Sequence, residues 1–156
     1  MTKRTVEHAT FVVERTYEAP PAQVFAAWAE PAAKARWFKG TDKAPDEYEL
    51  EFRIGGREIN RSAGPDGQLY TYEARYADIL PDERIVYTYD MYRDETRISV
   101  SLATVELESN GAGTKLTYTE QGAFLDGEDK PEYRERGTGG LLDALGAELE
   151  RTATRA

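Results

Sequence analysis

The chain contains no cysteine, so disulfides, thiolate zinc sites and cysteine nucleophiles are excluded. It has one histidine, His8, which precedes the first expected strand and reads as an exposed terminal residue. A Ser-His-Asp triad or a histidine-rich metal centre therefore has no support. No G-x-G-x-x-G or Walker loop is present, and Gly55-Gly56 reads as a turn. No cofactor or metal is expected. No apolar run approaches 18 residues, and the opening MTKRTVEHAT lacks a signal-peptide core. The expectation is a cytoplasmic protein without membrane insertion, and the missing cysteines fit a reducing compartment. Positive charge is in short supply: 20 Lys and Arg face 29 Asp and Glu, for a net charge of −9. Phosphate-backbone binding depends on cations, so no nucleic-acid partner is expected. The acidic residues form no run of five like charges and read as a solubility feature.

What is present fits a single domain spanning residues 1–156, with its core over about 10–150. A domain this long buries roughly 68–70% of its unfolded surface, enough for a core with a cavity. Residues 10–17 (TFVVERTY) read as a strand, stopped by Ala19-Pro20-Pro21. Val24, Phe25 and Trp28 share one helical face over 23–28, and a second short helix is expected over 32–37, ended by Gly40. Residues 48–54 alternate as a half-buried strand, with Leu50, Phe52 and Ile54 facing one way. Further strands are expected over 57–62, 68–79, 84–92, 96–108 and 114–121, joined by turns such as Gly64-Pro65-Asp66-Gly67. From Pro131 the period becomes helical, through Tyr133, Arg134, Thr138, Leu141, Leu142, Leu145 and Leu149. Gly137, Gly139 and Gly140 each cost that helix roughly 1 kcal/mol against alanine. They either fray its first turns or thin it where something approaches closely.

The order is strand, two short helices, about six antiparallel strands and a long C-terminal helix. A sheet of six or seven strands with one apolar face needs a cover, and only the last helix is long enough. The fold class is α+β: a strongly curved antiparallel sheet wrapped round that helix, an arrangement that tends to leave a void between them.

Four segments in this order carry a resemblance. ERTYEAPPAQVFAAWAEPAAKARWF (14–38) holds an A-P-x-x-x-V-[FW]-x-A-[WL] helix and a W-[FW] ending. RIGGRE (53–58) fits an R-x-G-G-[RK] hairpin. GPDGQLYTYEARYADILPDERIVYTYDM (64–91) and GTKLTYTEQGAF (113–124) fit two later strand motifs. Together they resemble the helix-grip, START-like fold of the SRPBCC superfamily, and within it the Aha-type branch of activators of the ninety-kilodalton heat-shock protein's ATPase. The resemblance spans about residues 10–150. It implies the fold and a cavity more directly than an activity, because the superfamily includes lipid carriers, hormone receptors, cyclases and chaperone cofactors.

Six of the ten tyrosines fall within residues 70–92. Glu73 and Arg75 belong outside, so Tyr70, Tyr72 and Tyr76 point inward by parity. Tyr87, Tyr89 and Met91 share the inward face of the next strand. Ile98, Val100 and Leu102 are expected to join them, as are Leu116, Tyr118 and Glu120. Tyrosine is a common strand and core residue, but each buried hydroxyl needs a partner. Leaving one unmet costs roughly 1–3 kcal/mol. Several inward phenols suggest a cavity filled by water or a polar guest. The register at Gly55-Gly56 decides Glu58 and Asn60. A three-residue bulged hairpin pairs Arg53 with Arg57 and turns both inward beside Phe52 and Leu50, whereas a two-residue turn puts Glu58 outside. The resemblance favours the former.

Glu58 and Glu120 are candidate acid/base groups. Either could instead be a hydrogen-bond anchor, and Glu58 could be a solvated edge residue. Trp28, Trp37 and Phe38 form a lid or end plug, or simply core. Phe124 and the 126–129 loop flank the mouth, and Leu141 and Leu145 face the guest from the helix. The leading expectation is a protein that binds a hydrophobic or aromatic small molecule. A polyketide cyclase- or hydrolase-type enzyme using Glu58 and tyrosine hydroxyls is the second, and a chaperone ATPase-activating module the third. An exposed edge strand also leaves a homodimer open.

Overall fold

The computed structural model describes residues 3–39, 47–64 and 66–154. Gly40, expected to end the second helix, and Pro65, expected within a turn, lie outside the described residues. Strand β1 (Val6–Tyr17) is rich in β-branched and aromatic side chains and alternates outward and inward residues at its C-terminal half. The double proline ends it. Pro20 caps helix α1 (Pro21–Ala29) and Pro21 occupies its first turn, where no backbone donor is needed. Pro31 likewise opens a single turn, α2 (Pro31–Lys34), which continues as a π-helical turn over Ala35–Lys39. The second helix is thus shorter than its periodicity suggests and changes pitch at Ala35.

Six further strands follow: β2 (Glu47–Leu50), β3 (Arg57–Ala63), β4 (Leu69–Leu80), β5 (Arg84–Arg93), β6 (Thr96–Asn110) and β7 (Gly113–Leu125). Helix α3 (Pro131–Thr154) closes the chain. The seven strands form one antiparallel sheet in the order β1-β7-β6-β5-β4-β3-β2. From β2 to β7 each strand pairs with the next in the chain, and β7 lies beside β1. Helix α3 packs against β1, α1 and the π-helical turn. The core fills the space between, around Val24, Trp28, Ile85, Val105, Leu116, Leu142 and Leu145. The architecture is the expected helix-grip arrangement.

Two registers decide what the sheet presents inward. At the β2–β3 hairpin, Leu50 pairs with Glu58 and Tyr48 with Asn60. The paired strand stops at Leu50 rather than running to residue 54. Residues 51–56 instead form a loop that bonds to β4 through Gly55 N to Tyr76 O and Tyr76 N to Gly56 O. A Cβ on Gly56 would lie 2.1 Å from the Glu51 carbonyl oxygen, so only glycine fits that fold-back. The pairing differs from the expected Arg53–Arg57 by two residues, which preserves parity, so Glu58 and Asn60 face inward. Ile54, expected inward, is exposed because it sits in the loop.

At the β5–β6 hairpin, Arg93 pairs with Thr96, but one residue is inserted at Ile98, so Met91 pairs with Ser99. The bulge flips the parity of the rest of β6. Ser99, Ser101, Ala103 and Val105 are buried, and Val100 is 37% exposed. Val100 and Leu102 therefore leave the inward set.

Candidate functional site

Between the sheet and α3 lies a cavity of about 320 Å³. Tyr72, Tyr87, Tyr89, Met91 and Tyr118 line it from the sheet, with Asn60 from β3. Trp28, Trp37 and Phe38 close one end, and Leu141 and Leu142 lie opposite on α3. The aromatic rings form a continuous wall of edge-on and tilted pairs. Trp28 and Trp37 centroids are 4.9 Å apart, Phe38 and Tyr72 4.9 Å, and Tyr72 and Tyr89 4.8 Å. Tyr133, half exposed, stands at the α3 side with Gly137, Thr138, Asp129 and Arg134. A Cβ at Gly137 would meet nothing within 4 Å, so this glycine leaves open space beside the cavity. Gly139 is thin for another reason: a Cβ there would lie 3.1 Å from the Arg15 guanidinium, which donates to the Gly139 carbonyl oxygen. The helix runs unbroken through all three glycines.

Three buried side-chain atoms lack a hydrogen-bond partner among the described residues: Trp28 Nε1, Asn60 Oδ1 and Tyr72 OH. All three residues line the cavity. Burial holds the Tyr72, Tyr87 and Tyr118 phenols well above their usual pKa, so each is a neutral hydroxyl at physiological pH.

Other expected residues sit behind or beyond the wall. Tyr76 and Phe52 pack edge to face, 5.0 Å apart, outside it. Leu145 is core, and Phe124 packs beneath the Arg134 guanidinium at 5.1 Å. Tyr70 has inward parity but lies near the strand end, where its hydroxyl donates to Asp66 at 3.0 Å. Val100 is on the outer face, for the bulge reason given above.

Glu58 is fully buried, not a solvated edge residue. Lys34 Nζ donates to Oε1 and Oε2 at 2.9 and 3.0 Å. Tyr48 OH donates to Oε2 at 2.6 Å and Tyr76 OH to Oε1 at 2.8 Å. Lys34 is itself fully buried and lies over Phe38, Trp28 and Trp37, with its ammonium 4.3 Å from the Phe38 centroid. Burial pushes the Lys34 pKa down, and the Glu58 charge opposes that. The pair therefore clasps the three end-plug rings to β3. Neither partner lines the cavity.

Glu120 anchors a second network. Tyr118 donates to Oε1 at 2.7 Å, while Tyr89 and Ser101 each donate to Oε2 at 2.7 Å. Arg134 Nη1 donates to Tyr89 OH at 2.9 Å and to Glu120 Oε2 at 3.3 Å. Its Nη2 donates to Ser99 Oγ at 2.8 Å and to Asp129 Oδ2 at 2.9 Å. Among the described residues the Glu58 and Glu120 carboxylates share no hydrogen-bond partner. Among the described residues, no group of three or more His, Cys, Asp or Glu could hold a metal.

Sequence reasoning did not single out Lys34, Tyr48, Arg134 or Thr138 as site residues. Lys34 carries no local signal, since its partner lies in β3, while Tyr48 meets Glu58 diagonally across the β2–β3 hairpin. Arg134 had one: it shares the helical stripe of Thr138, Leu141 and Leu145, facing an inward glutamate.

Residues 18–150 match the family described as activator of Hsp90 ATPase homolog 1-like protein. A structure from Rhizobium leguminosarum is 48% identical, covering 96% of this chain and 99% of its own, with a TM-score of 0.92. One from Rhizobium loti is 47% identical over 92% of this chain and 99% of its own, at 0.86. One from Chromobacterium violaceum is 25% identical over 90% and 96%, at 0.74. No curated protein sequence matches the chain.

Proposed function

We propose that this chain, which belongs to the family of activator of Hsp90 ATPase homolog 1-like proteins, binds a hydrophobic or aromatic small molecule in the cavity between the sheet and α3. One observation carries the reading. The cavity, at about 320 Å³, falls in the range of ligand pockets and is bounded by the residues of three buried, unpartnered polar atoms. A closed core would not leave an indole N–H, an amide oxygen and a phenol unmet together, since each omission costs roughly 1–3 kcal/mol. A guest or water supplies the partners.

A cyclase or hydrolase reading has less support. Glu58 accepts four hydrogen bonds away from the cavity wall, and Glu120 also accepts four. The chaperone reading rests on family membership alone. Native mass spectrometry of protein purified from its own host tests the binding reading. The expected result is a bound species of small mass that is lost on denaturation. Bare protein that also fails to take up the neutral dye N-phenyl-1-naphthylamine contradicts it.

A further inference from the structure

We infer that the cavity selects guests by charge, accepting uncharged aromatic molecules and rejecting carboxylates, and that Asp129 is the residue that sets this selectivity. The inference rests on the binding reading above. Hydrophobic guests with a carboxylate are usually met by a free arginine or lysine in the pocket. Among the described residues lining this cavity Arg134 is the one cation, and its terminal nitrogens are already committed. Each terminal nitrogen makes two hydrogen bonds, and the guanidinium faces two carboxylates, Glu120 at 3.3 Å and Asp129 at 2.9 Å. Two negative charges against one leave this end of the cavity with an excess of one negative charge.

The other buried cation, Lys34, is held by Glu58 and lies outside the wall. Lys130 and Arg136 stack on Tyr133 with their cations 5.6 and 5.5 Å from its centroid. Both are exposed, where solvent and salt screen them. A carboxylate entering the cavity would be desolvated beside a net negative charge, with both terminal nitrogens of Arg134 already engaged. An uncharged amide or phenol has no such penalty. It offers what the wall is missing: an acceptor for Trp28 Nε1, a donor for Asn60 Oδ1 and either for Tyr72 OH.

Asp129 is the changeable half of the lock. Glu120 is fully buried and also holds Tyr89, Tyr118 and Ser101, whereas Asp129 precedes α3 and keeps its side chain 21% exposed. Asp129→Ala removes one negative charge and frees an Arg134 Nη2 hydrogen toward the cavity.

The test is displacement of N-phenyl-1-naphthylamine at pH 7.5 by two probes of equal shape, 2-naphthamide and 2-naphthoate. The wild-type protein is expected to bind the amide at least tenfold more tightly. In Asp129→Ala the ratio of naphthoate to amide affinity is expected to rise at least tenfold. The ratio of the two affinities separates selectivity from a general change in stability. Wild-type naphthoate binding equal to or tighter than the amide overturns the inference and leaves the binding reading standing. So does an unchanged ratio in the variant, or dye uptake that neither probe displaces. Failure of the dye and both probes to bind overturns the inference and the binding reading together.

Discussion

Lys34 and Glu58 illustrate how much one side chain decides at this site. Removing the ammonium leaves Glu58 buried with, among the described residues, only the Tyr48 and Tyr76 hydroxyls to address its charge. Breaking a buried pair in this way costs about 3–5 kcal/mol. Lys34→Met is expected to lose that much in urea unfolding, and a loss under about 1 kcal/mol would show that the pair does not hold the end plug. Strand alternation left the face of Glu58 open, because the two candidate hairpin registers give opposite faces, and only the family resemblance favoured the inward one that the β2–β3 pairing shows. Its partners were not legible. Nothing near Lys34 in sequence distinguishes it from a solvated lysine; only the packing of Trp28, Trp37 and Phe38 around it does.

Helix α3 carries the same logic at the scale of an element. Gly140 is exposed, and a Cβ there meets nothing within 4 Å. Gly140→Ala is expected to stabilise the protein by up to about 1 kcal/mol, read as a rise in the urea midpoint, with dye affinity unchanged. The far half of α3 is tied to the π-helical turn by Arg36, whose Nη2 lies 2.7 Å from Glu148 Oε2, while Arg151 meets the same carboxylate at 3.1 Å. The Arg151 hydrogen bonds, with help from Arg36 and against burial, hold the Glu148 pKa down at about 2. A carboxyl held below its unfolded value stabilises the fold above that unfolded value, near 4.5, and the contribution disappears as pH falls through about 2. Glu148→Gln is therefore expected to be less stable than wild type at pH 6, with the gap narrowing between pH 4.5 and 2. A gap that is constant with pH would contradict the assignment. Element order was readable from periodicity and turn residues throughout. Where elements departed from it, at the loop after Leu50 and the bulge at Ile98, the cause was a backbone insertion or fold-back set by the neighbouring strand. A side-chain pattern alone does not record such events.

For the whole molecule, the sheet and α3 face each other across a wall of aromatic rings that does not close. The tyrosine-rich strands were legible as one side of that wall, and four inward phenols, Tyr72, Tyr87, Tyr89 and Tyr118, do line the cavity. The polar end built from Asp129, Arg134 and Glu120 required the tertiary structure, since it joins β7, the loop and α3. If the space is a binding site, occupancy stabilises the fold by mass action. At a hundredfold excess over Kd, N-phenyl-1-naphthylamine is expected to add about 2.7 kcal/mol to the unfolding free energy, seen as a raised Tm. The most direct measurement is an amide NMR titration with the same dye. The account predicts that shifts gather at Asn60, Tyr72, Tyr87, Tyr89, Tyr118 and along α3 from Arg134 to Leu142. Shifts confined to the outer face around Val12 and Val100, or none at saturating dye, would contradict it.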